Sequence, residues 1–273
     1  MPYDIENMSV VTFELKDQVA IVRLARPEKF NAMGKEYFEE MPAVLTKLGS
    51  DENIKVLLLT AEGPHFSSGL DLSELAKISE YSSGSSTASK IDLFERIQRL
   101  QLATKVLANL RVPSIASVSG YCLGGGVDLI SACSLRYCSN DVIFSIRETK
   151  LAIVADLGSL QLLPSIIPRG ALYELALTGR DFSAKEAKEI GLVNGIFEDK
   201  QAAETHALEI AKEIASNSAS ATQGTKRILD SIYNKNLSRD LERVALWNTS
   251  FLNQKDISEV AKAFAEKRKP NFG

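Results

Sequence analysis

The sequence predicts an α/β fold that ends in a helical region, and three observations support this prediction. The run IKVLLLT, residues 54–60, is short and almost wholly apolar, which is typical of a strand covered on both faces. A glycine-bearing loop follows this strand and a second follows the next predicted strand, as expected where strands and helices alternate. After Pro164 the apolar residues recur mainly at helical spacing.

The first half of the chain alternates between strand and helix patterns. Residues 10–25 contain two β-rich runs joined by three polar residues, which predicts a hairpin. A helix is expected over residues 35–48, closed by Gly49. Apolar residues spaced by three and four between positions 94 and 110 predict another helix, and VPSIASVSG predicts the strand before the second glycine loop. The serine-rich stretch at residues 79–90 is expected to be mobile.

The second half is expected to be mostly helical. Short strands are predicted near residues 135–138, 142–146 and 193–197, and Ser183 with Glu186 forms a capping-box pattern that opens a short helix. Long helices are predicted at about residues 201–217, 221–234, 237–251 and 256–267. No linker composition separates two domains. We therefore predict one structural unit, with a core over residues 1–200 that carries the site and a helical oligomerisation region over residues 201–273.

Composition narrows the class of function. The 273 residues are 45% apolar and 25% charged, which is ordinary for a folded chain with a sizeable core. The net charge of -3 argues against a general binder of nucleic acid or of anionic membranes. No apolar run reaches the roughly 18 residues that span a bilayer, and neither terminus resembles a targeting signal.

The three cysteines do not indicate a metal centre. Cys122, Cys133 and Cys138 match no common zinc spacing, and the chain has only two histidines to assist them. An odd number of cysteines in one stretch is typical of small buried residues in a reducing compartment. We expect no bound metal.

The residues with the clearest chemical meaning lie between positions 119 and 160. Glycines at positions 124–126 expose backbone N–H groups before a short apolar stretch that is predicted to be helical, an arrangement that can hold a developing negative charge. Three carboxylates follow, Asp128, Glu148 and Asp156. A loop that stabilises negative charge near several carboxylates suggests proton transfer on a carbonyl compound.

These motifs together resemble the crotonase (enoyl-CoA hydratase/isomerase) superfamily. The resemblance covers about residues 8–272, and its marks are RPEKFNA, HFSSGLDL, GYCLGGGVDL, FSIRE, TGRDFSAKEAKEIGLV and AFAEKRKPNF, in that order. It implies a spiral of ββα repeats with a C-terminal helical region, assembled as a homotrimer or homohexamer. It also implies acyl-CoA thioester substrates, no redox cofactor and no metal.

The resemblance assigns further residues to the site. It implies an oxyanion hole formed by the backbone N–H groups of Leu70 and Gly125. The residues that it places around the substrate are Ser67, Ser68, Gly69, Asp71 and Gly126. For CoA it implies Arg26 and Lys29 and, from the last helix of a neighbouring subunit, Phe264 and Lys267.

Within the superfamily, the three acids resemble those of the dienoyl-CoA isomerases, which act in fatty-acid β-oxidation. Hydratases carry glutamate in place of Asp128 and a glycine-rich phrase in place of VADLG. The isomerase resemblance leads to a hypothesis: Asp156 removes a proton from C2, and Glu148 returns one at C6. Asp128 would orient Glu148 or adjust its proton affinity, while the two amides hold the dienolate.

Several alternatives remain open from the sequence. The protein could be an enoyl-CoA hydratase, or a non-catalytic scaffold of the same fold that binds acyl-CoA or RNA. Asp128 could simply favour the positive end of a helix, Asp156 could cap the helix that begins near LGSLQLL, and Glu148 could be a solvated surface residue. A Ser/His hydrolase is disfavoured because no G-x-S-x-G motif is present.

The resemblance implies a mitochondrion or a peroxisome as the compartment.

Overall fold

A computed structural model of the chain describes residues 8–74, 77 and 86–272. The predicted mobile stretch falls outside these residues up to position 85, and its last residues begin a helix that Ser86 caps. In the described part the strands are β1 (Val11–Lys16), β2 (Val19–Leu24), β3 (Val56–Ala61), β4 (Ser114–Val118), β5 (Tyr121–Leu123), β6 (Leu135–Ser139), β7 (Ile143–Ser145), β8 (Asp181–Ser183) and β9 (Gly195–Phe197).

The described helices are α1 (Lys35–Ser50), α2 (Thr87–Leu100), α3 (Leu102–Ala108), α4 (Gly125–Ser131), α5 (Ser159–Leu162), α6 (Arg169–Thr178), α7 (Ala184–Glu189), α8 (Lys200–Ser216), α9 (Ala219–Tyr233), α10 (Leu237–Phe251) and α11 (Gln254–Ala265). Short 3₁₀ helices occupy Pro27–Lys29, Glu148–Leu151 and Leu163–Ser165. Among the described residues, no helix has both the length and the apolar character needed to cross a membrane.

Two sheets organise these elements. The larger has the order β1-β2-β3-β4-β6-β9, in which the predicted β1–β2 hairpin is antiparallel and the remaining pairs are parallel. The smaller has the order β5-β7-β8, with β5 and β7 parallel. Because parallel strands end at the same edge, the loops after β3 and β4 start side by side.

Strand β3 lies at the centre of the larger sheet and is buried throughout, as its apolar run predicts. Leu57 and Leu59 join the main core, while Val56 and Leu58 belong to a second cluster under α8. This alternation follows from the two-residue period of a strand, which sends successive side chains to opposite faces. The prediction of a strand covered on both faces is confirmed.

The helical region returns to the core beside the predicted site. Helix α8 covers the larger sheet, α10 packs against α2 and α5, and α11 contacts the Glu148–Leu151 turn. The helix expected across residues 94–110 is instead two helices, α2 and α3, which meet at Gln101. That side chain is buried and donates to the backbone oxygens of Asp156 and Leu241, which ties the junction to both neighbours.

The predicted cap of α7 is confirmed in its first half. Ser183 Oγ accepts a hydrogen bond from the Glu186 N–H at 3.3 Å. The Glu186 carboxylate does not return to the cap; it pairs with the Arg180 guanidinium.

Candidate active site

The two glycine loops meet at the edge of the larger sheet. Ser67 forms a parallel bridge with Cys122, and the chain then turns at Gly69, where φ is +88°. A Cβ atom at Gly69 would lie 2.7 Å from the Leu123 carbonyl oxygen and 3.5 Å from the Gly125 nitrogen. Glycine is therefore required at this position, both by the left-handed backbone and by the close approach of the second loop.

Within the part of the chain that the structure describes, two backbone N–H groups are unpaired where these loops meet. On either side of Leu70, the Met33 N–H donates to the Gly69 oxygen at 2.8 Å and the Asp71 N–H donates to the Met33 oxygen at 3.0 Å. The Leu70 N–H has no acceptor among the described residues, and neither does that of Gly125, the first residue of α4. Both residues line one cavity of about 60 Å³. Two free donors at one cavity can stabilise an oxyanion.

Asp128 lies in the first turn of α4 and is buried against this cavity. Its Oδ1 accepts a hydrogen bond from the Ser159 N–H at 2.6 Å, and its buried Oδ2 has no partner among the described residues. Burial raises the pKa of Asp128 to about 6, although the hydrogen bond from the Ser159 N–H opposes the rise. The alternative in which Asp156 caps α5 is wrong, because it is Asp128 that accepts a hydrogen bond from the first N–H group of α5.

Glu148 opens the turn after β7 and directs its carboxylate toward the second glycine loop. A Cβ atom at Gly124, where φ is +49°, would lie 2.9 Å from Glu148 Oε1. The other oxygen, Oε2, is buried without a partner in the described part of the chain. Burial raises the pKa of Glu148 well above its usual value, and the negative charges of Asp128 and Asp156 add to the rise. The alternative of a solvated surface glutamate is wrong.

Asp156 completes the group of acids from the loop before α5. Its Oδ2 accepts a hydrogen bond from Asn248 Nδ2 at 2.7 Å. Burial raises the pKa of Asp156 to about 7, the Asn248 hydrogen bond lowers it, and the charge of Asp128 raises it. All three acids line the same cavity as Leu70 and Gly125, as the sequence predicts.

Apolar side chains close most of the remaining wall. They come from α2, from the segment after β7 and from the end of α10, and they are Ile97, Leu100, Leu151, Ile153, Leu157 and Leu252. This surrounding explains why burial is the largest influence on all three carboxyl pKa values. The cavity can hold some acids neutral and others charged near neutral pH, which is what proton transfer requires.

Comparison with known proteins identifies the family of this chain. Residues 14–273 match the family described as "Enoyl-CoA hydratase/isomerase". The chain belongs to that family. This confirms the crotonase resemblance and, with the mixed sheets and the C-terminal helices, the predicted fold class.

Two relatives of this chain carry the name of one subgroup of the family, the dienoyl-CoA isomerases. The "Delta(3,5)-Delta(2,4)-dienoyl-CoA isomerase, peroxisomal" of Arabidopsis thaliana is 42% identical, over 98% of this chain and 97% of that protein. The "Delta(3,5)-Delta(2,4)-dienoyl-CoA isomerase, mitochondrial" of Dictyostelium discoideum is 39% identical, over 93% and 87%. A solved enoyl-CoA hydratase/isomerase from Pseudoalteromonas atlantica is 25% identical, with coverage of 97% and 100% and a TM-score of 0.84.

The predicted substrate-contacting residues divide into two groups in this family member. Ser68 and Gly69 line the cavity with the acids. Ser67 lies behind them, where its Oγ donates to the Asn31 carbonyl oxygen at 2.8 Å and accepts from the Gly69 N–H at 3.1 Å. Ser67 therefore holds the first loop in shape and does not line the cavity.

Gly126 and Asp71 are also outside the cavity wall. Gly126 lies in the first turn of α4 and packs against the first glycine loop, where an added Cβ would lie 3.3 Å from the Ser67 Cβ. Asp71 accepts a hydrogen bond from Arg26 Nη1 at 2.9 Å, and the pKa of Asp71 is lowered because hydrogen bonds from Ser73 and Arg26 outweigh burial. Both residues support the loops that carry the free amides.

The residues predicted to bind CoA lie away from the cavity. Arg26 is partly buried in its ion pair with Asp71, whereas Lys29, Phe264 and Lys267 are exposed. The structure does not bring Phe264 or Lys267 to the cavity wall within the chain.

The sequence analysis missed Asn248, a buried residue of α10 that lines the cavity and holds Asp156. A signal was present in the pattern. Leu241, Val244, Ala245 and Asn248 recur at spacings of three and four, so a polar residue stands on an otherwise apolar helical face. A buried amide in that position needs polar partners, and here the segment that contains Asp156 provides them.

Proposed function

We propose that this protein isomerises 3,5-dienoyl-CoA to 2,4-dienoyl-CoA in fatty-acid β-oxidation. The observation that carries the proposal is the group of three carboxyls with raised pKa values around one cavity, beside two backbone N–H groups that no acceptor in the described ranges pairs. The sequence similarity between this chain and proteins named Delta(3,5)-Delta(2,4)-dienoyl-CoA isomerase supports the same reaction.

The first half of the reaction needs a base and an oxyanion hole. Charged Asp156 takes the proton from C2, and the C–H electron pair moves onto the thioester to give a conjugated dienolate. The N–H groups of Leu70 and Gly125 donate to the thioester oxygen as its charge grows. Donors fixed in place before the reaction typically lower such a barrier by several kcal/mol.

The second half needs an acid at the far end of the conjugated system. Neutral Glu148 gives its proton to C6, and the double bonds settle at C2=C3 and C4=C5. Asp128 contributes by raising the pKa of Glu148, which keeps that acid protonated near neutral pH. Using separate groups for C2 and C6 agrees with the distance between those carbons, which one short carboxylate does not span.

The remaining parts of the proposal concern partners and location. We propose that the protein needs no metal and no redox cofactor, because carboxylates and amides suffice for this proton transfer. Self-association as a trimer or hexamer is supported by exposed apolar side chains on α9 and α10, among them Ile228, Ile232, Trp247 and Phe251. A peroxisome or a mitochondrion is supported by the locations in the relatives' names.

A direct comparison of substrates tests the proposal. The purified protein is given a 3,5-dienoyl-CoA and, separately, a 2-enoyl-CoA of the same chain length, and ultraviolet absorption follows the conjugated product or the loss of the enoyl group. We expect kcat/KM for the dienoyl substrate to exceed that for hydration by at least about tenfold. Faster hydration would identify a hydratase, and no turnover with either would favour a non-catalytic binding protein.

A further inference from the structure

Helix α10 places one side chain directly on the proposed base. We propose that Asn248 is a positioning residue, which fixes Oδ2 of Asp156 so that Oδ1 is left to take the substrate proton. The inference rests on the proposed function, because it assumes that Asp156 acts on C2. Asn248 Nδ2 donates to Asp156 Oδ2 at 2.7 Å, and among the described residues it is the side chain that hydrogen-bonds this carboxylate.

Asn248 is itself held in one orientation. Its Nδ2 also donates to the Val154 carbonyl oxygen at 2.9 Å, and its Oδ1 accepts from the Val154 N–H at 3.3 Å. These two contacts fix which end of the amide faces Asp156, since only the NH₂ end can donate to a carbonyl oxygen. The side chain is 2% exposed, so water does not compete for these bonds.

A second buried amide fixes the backbone of the same segment. Gln101 Nε2 donates to the Asp156 carbonyl oxygen at 2.8 Å and to the Leu241 carbonyl oxygen at 3.0 Å. Leu241 and Asn248 both belong to α10. The helical region therefore holds the proposed base through its main chain and through its carboxylate, and it forms part of the site.

The Asn248 donor also affects the charge of Asp156. The charged groups that line the cavity with Asp156 are Asp128 from α4 and Glu148 and Arg147 from the segment after β7. Burial and the charge of Asp128 disfavour a charge on Asp156, and the Asn248 hydrogen bond favours it. A base must be charged to act. Loss of Asn248 should therefore raise the pH at which activity begins, and it should also leave the Asp156 carboxylate less firmly oriented.

The test compares Asn248→Ala with Val244→Ala, a matched control that trims the same buried face of α10 and removes no donor. In Asn248→Ala, we expect the acid limb of kcat/KM to move up by about one pH unit and kcat at neutral pH to fall by about 10- to 100-fold. Asn248→Asp should move the limb at least as far, because it replaces the donor with another acid. Val244→Ala should lower Tm and leave the limb in place.

Titration of the protein without substrate separates this inference from the proposed function. Carbon-13 NMR of the aspartate carboxyls, assigned with Asp156→Asn, should show a higher pKa for Asp156 in Asn248→Ala than in the parent, whatever the reaction is. If Asn248→Ala does not fold, Asn248→Ser, which keeps a shorter donor, should give a smaller shift in the same direction. An unchanged Asp156 titration, or an equal shift in Val244→Ala, would overturn the inference.

Discussion

Asp128 and Glu148 face one cavity, and each has a buried carboxyl oxygen without a hydrogen-bond partner among the described residues. Their charges repel, and this repulsion adds to the effect of burial on the pKa of Glu148. Leaving polar atoms unpaired in a protein interior is costly, and a catalytic role is one recognised reason for it. The pair therefore behaves as one unit in which a proton on one group influences the other.

Replacement of Asp128 by Asn should expose this coupling. The Asn Oδ1 can still accept from the Ser159 N–H, while the negative charge beside Glu148 is lost. The pKa of Glu148 should then fall, so the alkaline limb of kcat should move to lower pH and the rate at pH 8 should drop about tenfold. Steady-state rates between pH 5 and 10 measure the limb; an alkaline limb that stays in place would contradict the proposed role of Asp128.

The acid limb of the parent enzyme should report Asp156. The base works when charged, and its pKa is raised to about 7, so kcat/KM should rise with pH and reach half its plateau near pH 7. The rate rises with pH because a proton already bound to the Asp156 carboxylate prevents it from taking the proton at C2. A half-maximal point below pH 5, near the value for an ordinary aspartate, would show that the base is a different group.

Stability should fall as pH rises through the same range. The folded-state pKa values of Asp128 and Asp156, about 6 and about 7, exceed the unfolded value of about 3.9. The folded state therefore binds more protons. The contribution of these two groups to stability is fully present below the unfolded pKa and is lost as pH rises through the folded values. Tm should decrease between pH 5.5 and 8.5, and less so in the Asp128→Asn/Asp156→Asn double variant; equal slopes would contradict the raised pKa values.

The geometry of the first glycine loop gives a prediction with a close control. Gly69→Ala puts a Cβ against the Leu123 carbonyl oxygen at a positive φ, so the loop must shift and carry the Leu70 N–H with it. We expect kcat to fall by about 10²- to 10³-fold. Gly170→Ala, on α6 with nothing within 4 Å of its added Cβ, should keep the parent rate. Similar rates for both variants would remove Leu70 from the oxyanion hole.

The proposed CoA contact can be tested on the last helix. Lys267→Glu reverses an exposed charge just after α11, and Lys262→Glu does the same on the helix itself. If Lys267 binds CoA phosphates from a neighbouring subunit, KM should rise about three- to tenfold with little change in kcat. The Lys262 variant should keep the parent KM. A fall in kcat at constant KM would argue against this role.

Residues whose position follows from local pattern were predicted well. The apolar run of β3 and the glycines after it fixed where the loops lie, and Leu70, Gly125 and the three acids indeed share a cavity. Local pattern did not show which acid caps α5, because Asp128 reaches Ser159 across 31 positions. Asn248 and Asp156 are 92 positions apart, so only the tertiary packing of α10 brings them together.

Deuterium exchange at C2 tests most directly whether two different carboxyls act on the two carbons. The substrate is incubated in D₂O with the parent, Asp156→Asn or Glu148→Gln, and mass spectrometry follows label in the recovered 3,5-dienoyl-CoA. Glu148→Gln should exchange the C2 proton while forming about 10²- to 10⁴-fold less product, and Asp156→Asn should lose both exchange and product. Two results would contradict the assignment of the base. One is rapid C2 exchange in Asp156→Asn, and the other is loss of C2 exchange in Glu148→Gln while Asp156→Asn keeps it.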